Sequence, residues 1–233
     1  MNDDVSEVSC VRVDGDDRTI RAEVIAVETK MSLLVNDEQV ADFLYSSGFD
    51  EELVVGFLLS SSMISNPDEI DRIENESEQR KVWTSEKGGS LSTIKDMGIT
   101  ISHRKLIEIR TKLIENQHKH RATRGFHGSI IWELTTNRWF VCEDIGRHNA
   151  VDKVIGYAAQ NNYNLSQSIV LLSGRLLSNI VSKCKNSGIP LVASMTVATD
   201  GGINEAMSSN MTIIGSLSAD GFWLYNEGVV RVT

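Results

Sequence analysis

Residues 168–195 read SIVLLSGRLLSNIVSKCKNSGIPLVASM, and this stretch decides the fold. SIVLL and PLVAS are short apolar runs of strand length, and RLLSNIVSKCKNSG between them reads as an amphipathic helix. The rhythm continues outward. RWFVCED and HNAVDKVIGYAAQ precede the stretch as strand and helix, and GGINEAMSSN and MTIIGSL follow it as helix and strand. Short apolar strands alternating with helices predict an α/β unit with a mostly parallel sheet and helices on both faces. The terminal GFWLYNEGVVRVT predicts a closing hairpin.

The amino-terminal half has a different character. TIRAEVIAVETKMSLLVNDEQVADFLYSS predicts two or three strands with a turn at VND. DEELVVGFLLSSSMI (50–64) predicts a packed helix in which Gly56 permits close approach, and its acidic first turn suits the positive end of the helix dipole. SHRKLIEIRTKLIENQ predicts an amphipathic helix capped by Ser102, with Leu106, Ile109, Leu113 and Ile114 on one side. The expected division is a frayed N-terminus over 1–18, a smaller β-rich α+β domain over 19–100 with a loop at 84–93, and an α/β domain over 101–233.

Composition narrows the function classes. The 233 residues carry 23 Lys and Arg against 32 Asp and Glu, a net charge of −9, which argues against a nucleic-acid surface. No run approaches the roughly 20 apolar residues of a membrane helix, and the acidic start MNDDVSEVSC is unlike a secretion signal, so a cytoplasmic protein is expected. Cys10, Cys142 and Cys184 lie far apart and form neither a C-x-x-C pair nor an even disulfide framework. No structural metal is expected: the H-x-E and P-C-x-x-C pattern of zinc deaminases is absent, and His118 and His120 read as a solvated basic helix end.

Polar chemistry gathers where strands give way to helices. EDIGRHN (143–149), SGRLLSN (173–179) and TVATDGG (196–202) each end an expected strand and open an expected helix. Ligands of open α/β sheets bind at such strand ends. The three turns bring Arg147 and Arg175, the hydroxyls of Ser173, Thr196 and Thr199, and backbone amides near Gly146, Gly174, Gly201 and Gly202. Arginine forks, glycines and helix starts together suit a phosphate-bearing ligand. Glu143 and Asp144 are placed to orient Arg147, and His148 to bind ligand or move a proton. Asp152 and Lys153 share a helix face with His148 and Asn149. His127 is a further lone histidine.

The run EDIGRHNAVDKVIG (143–156), with LLSGRLLSNIVSKCKNSGIPLVAS (171–194) behind it, resembles the formate dehydrogenase accessory sulfurtransferase (FdhD) family. Further echoes are ETKMSLLVN (28–36), DEELVVGFLLSSSMI (50–64), TRGFHGS (123–129) and IIGSLSADGFWLY (213–225). The resemblance implies a cytidine deaminase-like three-layer α/β/α domain without the deaminase zinc, in a homodimer. It implies persulfide sulfur taken from a cysteine desulfurase and passed to the molybdenum or tungsten bis-guanylyl-molybdopterin cofactor of formate dehydrogenase, with guanine nucleotide as a natural analogue. The site it implies comprises Glu143, Asp144, Gly146, Arg147, His148, Asn149, Asp152, Lys153, Ser173, Gly174, Arg175, Thr199, His127, Gly215 and Ser216, with Arg147 and Arg175 toward diphosphate.

The chain departs from the family in one place. The family's C-G-x-C-G-like loop corresponds to TSEKGGSLST (84–93), which has no cysteine. A persulfide needs a thiolate, which serine or carboxylate cannot replace. Cys142, beside the expected site, is the candidate substitute. A cofactor-binding chaperone without sulfur transfer is therefore the alternative, and a nucleotide-processing enzyme on the same scaffold a third reading. SADGFWLY also lacks the arginine often found near the family's G-F-x-R turn.

Overall fold

The computed structural model describes residues 4–85 and 94–233. Most of the expected loop at 84–93 lies outside the described residues. The chain opens with a two-stranded antiparallel ribbon, β1 (Val5–Asp14) and β2 (Asp17–Ala26), so ordered strands stand where a frayed start is expected. Gly15, at φ 62°, supplies the left-handed residue that its two-residue turn requires.

A four-stranded sheet follows, ordered β4-β3-β6-β5, from β3 (Thr29–Val35), β4 (Glu38–Tyr45), β5 (Ile70–Glu76) and β6 (Gln79–Thr84). The VND turn forms as expected: Asn36 and Asp37 both have positive φ, as a tight hairpin turn between twisted strands demands. β5 and β6 form a hairpin inside a polar stretch with no clear periodicity. Helix α1 (Asp50–Ser60) crosses between this sheet and the rest of the molecule.

The carboxy-terminal part contains β7 (Thr100–Ile101), α2 (His103–Asn116), α3 (His118–Thr123), β8 (His127–Glu133), β9 (Trp139–Asp144), α4 (Arg147–Gln160), β10 (Ser168–Leu172), α5 (Ser178–Asn186), β11 (Leu191–Ser194), α6 (Asp200–Ser208), β12 (Thr212–Gly215), β13 (Trp223–Asn226) and β14 (Arg231–Val232). Ser102 caps α2 by accepting from the Lys105 amide at 3.2 Å. The main sheet runs β13-β12-β11-β10-β8-β9. Only β10, β11 and β12 are mutually parallel neighbours; the β10–β8, β8–β9 and β12–β13 pairs are antiparallel, so the sheet is mixed rather than mostly parallel. The expected closing hairpin does not form either: β13 adds to β12, while β14 pairs with β7 in a separate ribbon.

Alternate residues of the main sheet enter two cores. Ile131, Val170, Leu172, Val192 and Ile213 face α4, α5 and α6, and this core continues through α1 to Met31, Leu33 and Val82 of the smaller sheet. Ile130, Ile169, Leu171, Leu191 and Ile214 face α2 on the other side, against Leu106, Ile109 and Leu113. The result is the expected three-layer α/β/α arrangement.

Candidate functional site

The strand directions bring the carboxyl ends of β9, β10, β11 and β12 to one edge of the sheet, together with the amino end of antiparallel β8. His127 therefore stands opposite Asp144, with the three expected turns on the same edge. Arg147, the first residue of α4, reaches across the end of β8. A Cβ added to Gly174 would lie 3.1 Å from both Cβ and Cδ of Arg147 and 3.5 Å from His127 Nδ1. The glycine is what lets this arginine lie against the turn after β10. Arg147 Nε is shielded from solvent and has no hydrogen-bond partner, and so has His148 Nε2.

Next to this arginine opens a cleft of about 360 Å³ whose walls include His120, Phe126, His127, Ser173, Met195 and Thr196. The Ser173 hydroxyl accepts from the Gly128 amide at 3.0 Å, binding the β10 turn to β8. The Ser194 hydroxyl donates to the Gly174 carbonyl at 2.6 Å, and the Thr196 amide donates back to the Ser194 oxygen at 2.9 Å. His120 Nδ1 lies 2.7 Å from the Phe126 carbonyl oxygen, which places its proton on Nδ1. Burial lowers the His127 imidazole below its ordinary value, with the Arg147 charge adding to the effect. Burial lowers His148 in the same way, partly offset by a hydrogen bond with Asn179. Both rings are neutral at pH 7, when they offer hydrogen bonds without charge.

The other polar residues of 143–156 turn away from the cleft and build its frame. Glu143 accepts from the Lys119 and His120 amides at 2.8 and 2.7 Å, capping α3, which carries part of the cleft wall. Asp144 is fully buried. Its Oδ1 accepts from the Gly146 amide and Asn149 Nδ2; its Oδ2 accepts from the Ser46 amide and hydroxyl and pairs with Lys153 Nζ at 2.7 Å. Lys153 also donates to the Ser46 carbonyl at 2.7 Å, and Asn149 to the Leu44 carbonyl at 2.8 Å. Asp152 pairs with Lys183 at 2.8 Å and accepts from the Ser60 hydroxyl at 2.7 Å, joining α1, α4 and α5. A sequence reading that sends Asp144, Asn149, Asp152 and Lys153 to the ligand thus meets side chains already committed to protein partners.

Gly156 completes that frame. A Cβ there would stand 1.9 Å from the Glu52 carbonyl oxygen, and one on Gly56 would stand 1.8 Å from that of Asp152. The two glycines let α1 and α4 cross backbone to backbone. Thr199 is likewise engaged, capping α6 through the Gly202 amide at 3.3 Å and donating to the Leu176 carbonyl. Gly215 lies under Tyr225 and the Thr196 carbonyl, and Ser216 adopts φ 51° with its amide on that carbonyl at 2.7 Å. Arg175 is exposed and makes no ion pair among the described residues.

The thiols stand apart from the cleft. Burial pushes the Cys142 thiol up to about 12, and complete burial on α5 does the same to Cys184. Cys142 is therefore a packed thiol, not a nucleophile held ready beside the site. Cys10 is exposed on β1. Residues that the sequence reading did not single out are Ser46, which shares the Asp144–Lys153 knot, and Gln117, a buried amide at the cleft.

Comparison with known proteins agrees with this architecture. The sequence pattern of the FdhD/NarQ family matches residues 26–96 and 86–231. Protein FdhD of Methanocaldococcus jannaschii is 33% identical over 227 residues, covering 96% of this chain and 97% of that protein. The sulfur carrier protein FdhD of Sulfolobus acidocaldarius is 28% identical over 96% of this chain and 97% of its own length, and that of Staphylococcus aureus (strain Newman) 26% identical over 86% of each. A Desulfotalea psychrophila crystal structure, described as a formate dehydrogenase accessory protein, superimposes with a TM-score of 0.84 at 24% identity over 95% of this chain and 96% of the other, which fixes the fold. The chain belongs to the FdhD/NarQ family.

Proposed function

We propose that this chain binds the guanylylated pterin cofactor of molybdenum or tungsten formate dehydrogenases at the carboxyl edge of its main sheet, and supports maturation of that enzyme as a cofactor-holding partner. The observation that carries this reading is Arg147: its Cβ and Cδ lie against Gly174 beside neutral His127, its Nε is buried and unpartnered, and the neighbouring His127 lines a preformed cleft. A buried guanidinium nitrogen without a protein acceptor fits an anionic oxygen supplied by a ligand. The diphosphate of such a cofactor supplies one, with Arg175 exposed on the turn after β10 to meet it from solvent. When bound, the metal–pterin group would supply the redox chemistry of the client enzyme; this chain's residues would bind and orient its nucleotide end. Homodimer formation, a cytoplasmic setting and handover to formate dehydrogenase belong to the same reading.

Sulfur carriage is the role the names of several relatives describe. Here the loop at 84–93 has no cysteine, and Cys142 and Cys184 are sealed with raised thiol pKa values. These facts favour cofactor holding without a persulfide of its own. The test is intact mass after incubation with a cysteine desulfurase and cysteine, alongside formate dehydrogenase activity in cells lacking their own accessory protein. Restored activity with no added sulfur mass supports the proposal. A gain of one sulfur, located by its loss on Cys10→Ser or on Cys142→Ser, would make the chain a sulfur carrier instead.

A further inference from the structure

Gln117 joins α2 to α3 and is 5% exposed. It lines the cleft, and its Nε2 is buried with no hydrogen-bond partner. Its carboxamide packs on Gly128, where a Cβ would stand only 2.6 Å from Nε2, so the absence of a side chain on β8 makes room for it. An amide donor buried without an acceptor is costly, and native proteins keep one where a ligand or ordered partner completes it. The nearby walls are the buried ring of Phe126 and the thioether of Met195, flat and polarisable surfaces suited to an aromatic ring.

We infer that Gln117 is the specificity-determining residue of this cleft, pairing its carboxamide with the lactam edge of a bicyclic heteroaromatic ring. A carboxamide presents N–H and C=O side by side, and a lactam presents the same pair in reverse order, so two hydrogen bonds form at once. Gln117 Nε2 is the buried donor left without a partner, so the ligand must bring an acceptor, which a lactam carbonyl provides. Guanine and pterin rings share this edge. The inference rests on the cofactor-binding reading above and adds to it the part of the protein that reads the ring.

The test is equilibrium binding of guanosine diphosphate, adenosine diphosphate, 6-hydroxymethylpterin and inorganic diphosphate to the parent, Gln117→Met and Gly128→Ala. The second variant displaces the carboxamide without removing it, and guards against a folding defect in the first. Both variants should weaken a lactam compound roughly tenfold or more, the loss expected for a buried amide pair, and leave inorganic diphosphate unchanged. A loss on guanosine diphosphate assigns the cleft to guanine; a loss on the pterin alone assigns it to the pterin. Unchanged binding of both lactam compounds in both variants, or an equal loss on adenosine diphosphate, overturns the inference while diphosphate binding leaves the anion site standing. A parent that binds none of the four probes overturns the underlying reading as well.

Discussion

Asp144 Oδ2 lies 2.7 Å from Lys153 Nζ with neither side chain exposed, and Ser46 bonds to both. This knot ties the loop after β4 to the end of β9 and the second turn of α4. Charges this deep are held by their partners, and removing one strands the other.

Lys153→Met should therefore destabilise the fold by about 3–5 kcal/mol, and the double variant Asp144→Asn with Lys153→Met should recover part of that loss. Chemical denaturation of the three proteins checks this. Equal stability of Lys153→Met and parent would show that the pair does not hold the frame.

The α1–α4 crossing gives a second expectation. Gly156→Ala places a methyl 1.9 Å from a backbone carbonyl that cannot rotate away, so the helices must separate. A loss of about 1–3 kcal/mol or more follows from forced overpacking. Ala150→Gly on the same helix should cost only about 1 kcal/mol through propensity and a lost methyl contact. Thermal melts of the two variants separate steric crossing from general helix weakening.

How much of this was legible in the sequence follows from which forces act locally. The βαβ rhythm, the Ser102 cap and the Asn36-Asp37 turn depend on neighbouring residues, and each could be read from them. The β1–β2 ribbon could have been: Val11, Val13 and Ile20 flank an Asp14-Gly15 turn, but the surrounding acids made the segment look frayed. At the site, the gathering of Arg147 and the glycine turns on one edge of the sheet was legible. The partners of Asp144, Asp152 and Lys153 were not, because Ser46, Ser60 and Lys183 are brought to them only by the packing of α1 and α5 on α4. Local polarity says that a residue needs a partner; it does not say whether that partner is ligand or protein.

The imidazoles give a pH prediction. His127 and His148 have folded pKa values lowered mainly by burial from the ordinary 6.5, so the unfolded chain takes up protons first as pH falls. Their contribution to stability is present above pH 6.5 and is lost as pH falls through the lower folded values. Melting temperature should drop between pH 7 and 5, and less steeply in His127→Gln. An identical slope in parent and variant would remove His127 from the explanation.

Thiol chemistry is equally direct. With Cys142 and Cys184 buried and Cys10 exposed, an aromatic disulfide reagent should titrate one thiol in the native protein and three in denaturant. Cys10→Ser should abolish the native reaction. A second rapidly reacting native thiol would contradict the sealed placement of Cys142.

The central claim, an anion site built on Arg147, is tested most directly by calorimetric titration of the protein with guanosine diphosphate. The account predicts saturable binding to the parent and a loss of about tenfold or more in Arg147→Ala, the scale of a charge-assisted phosphate contact, at unchanged melting temperature. Binding of equal strength in parent and Arg147→Ala, or none to the parent, would contradict it.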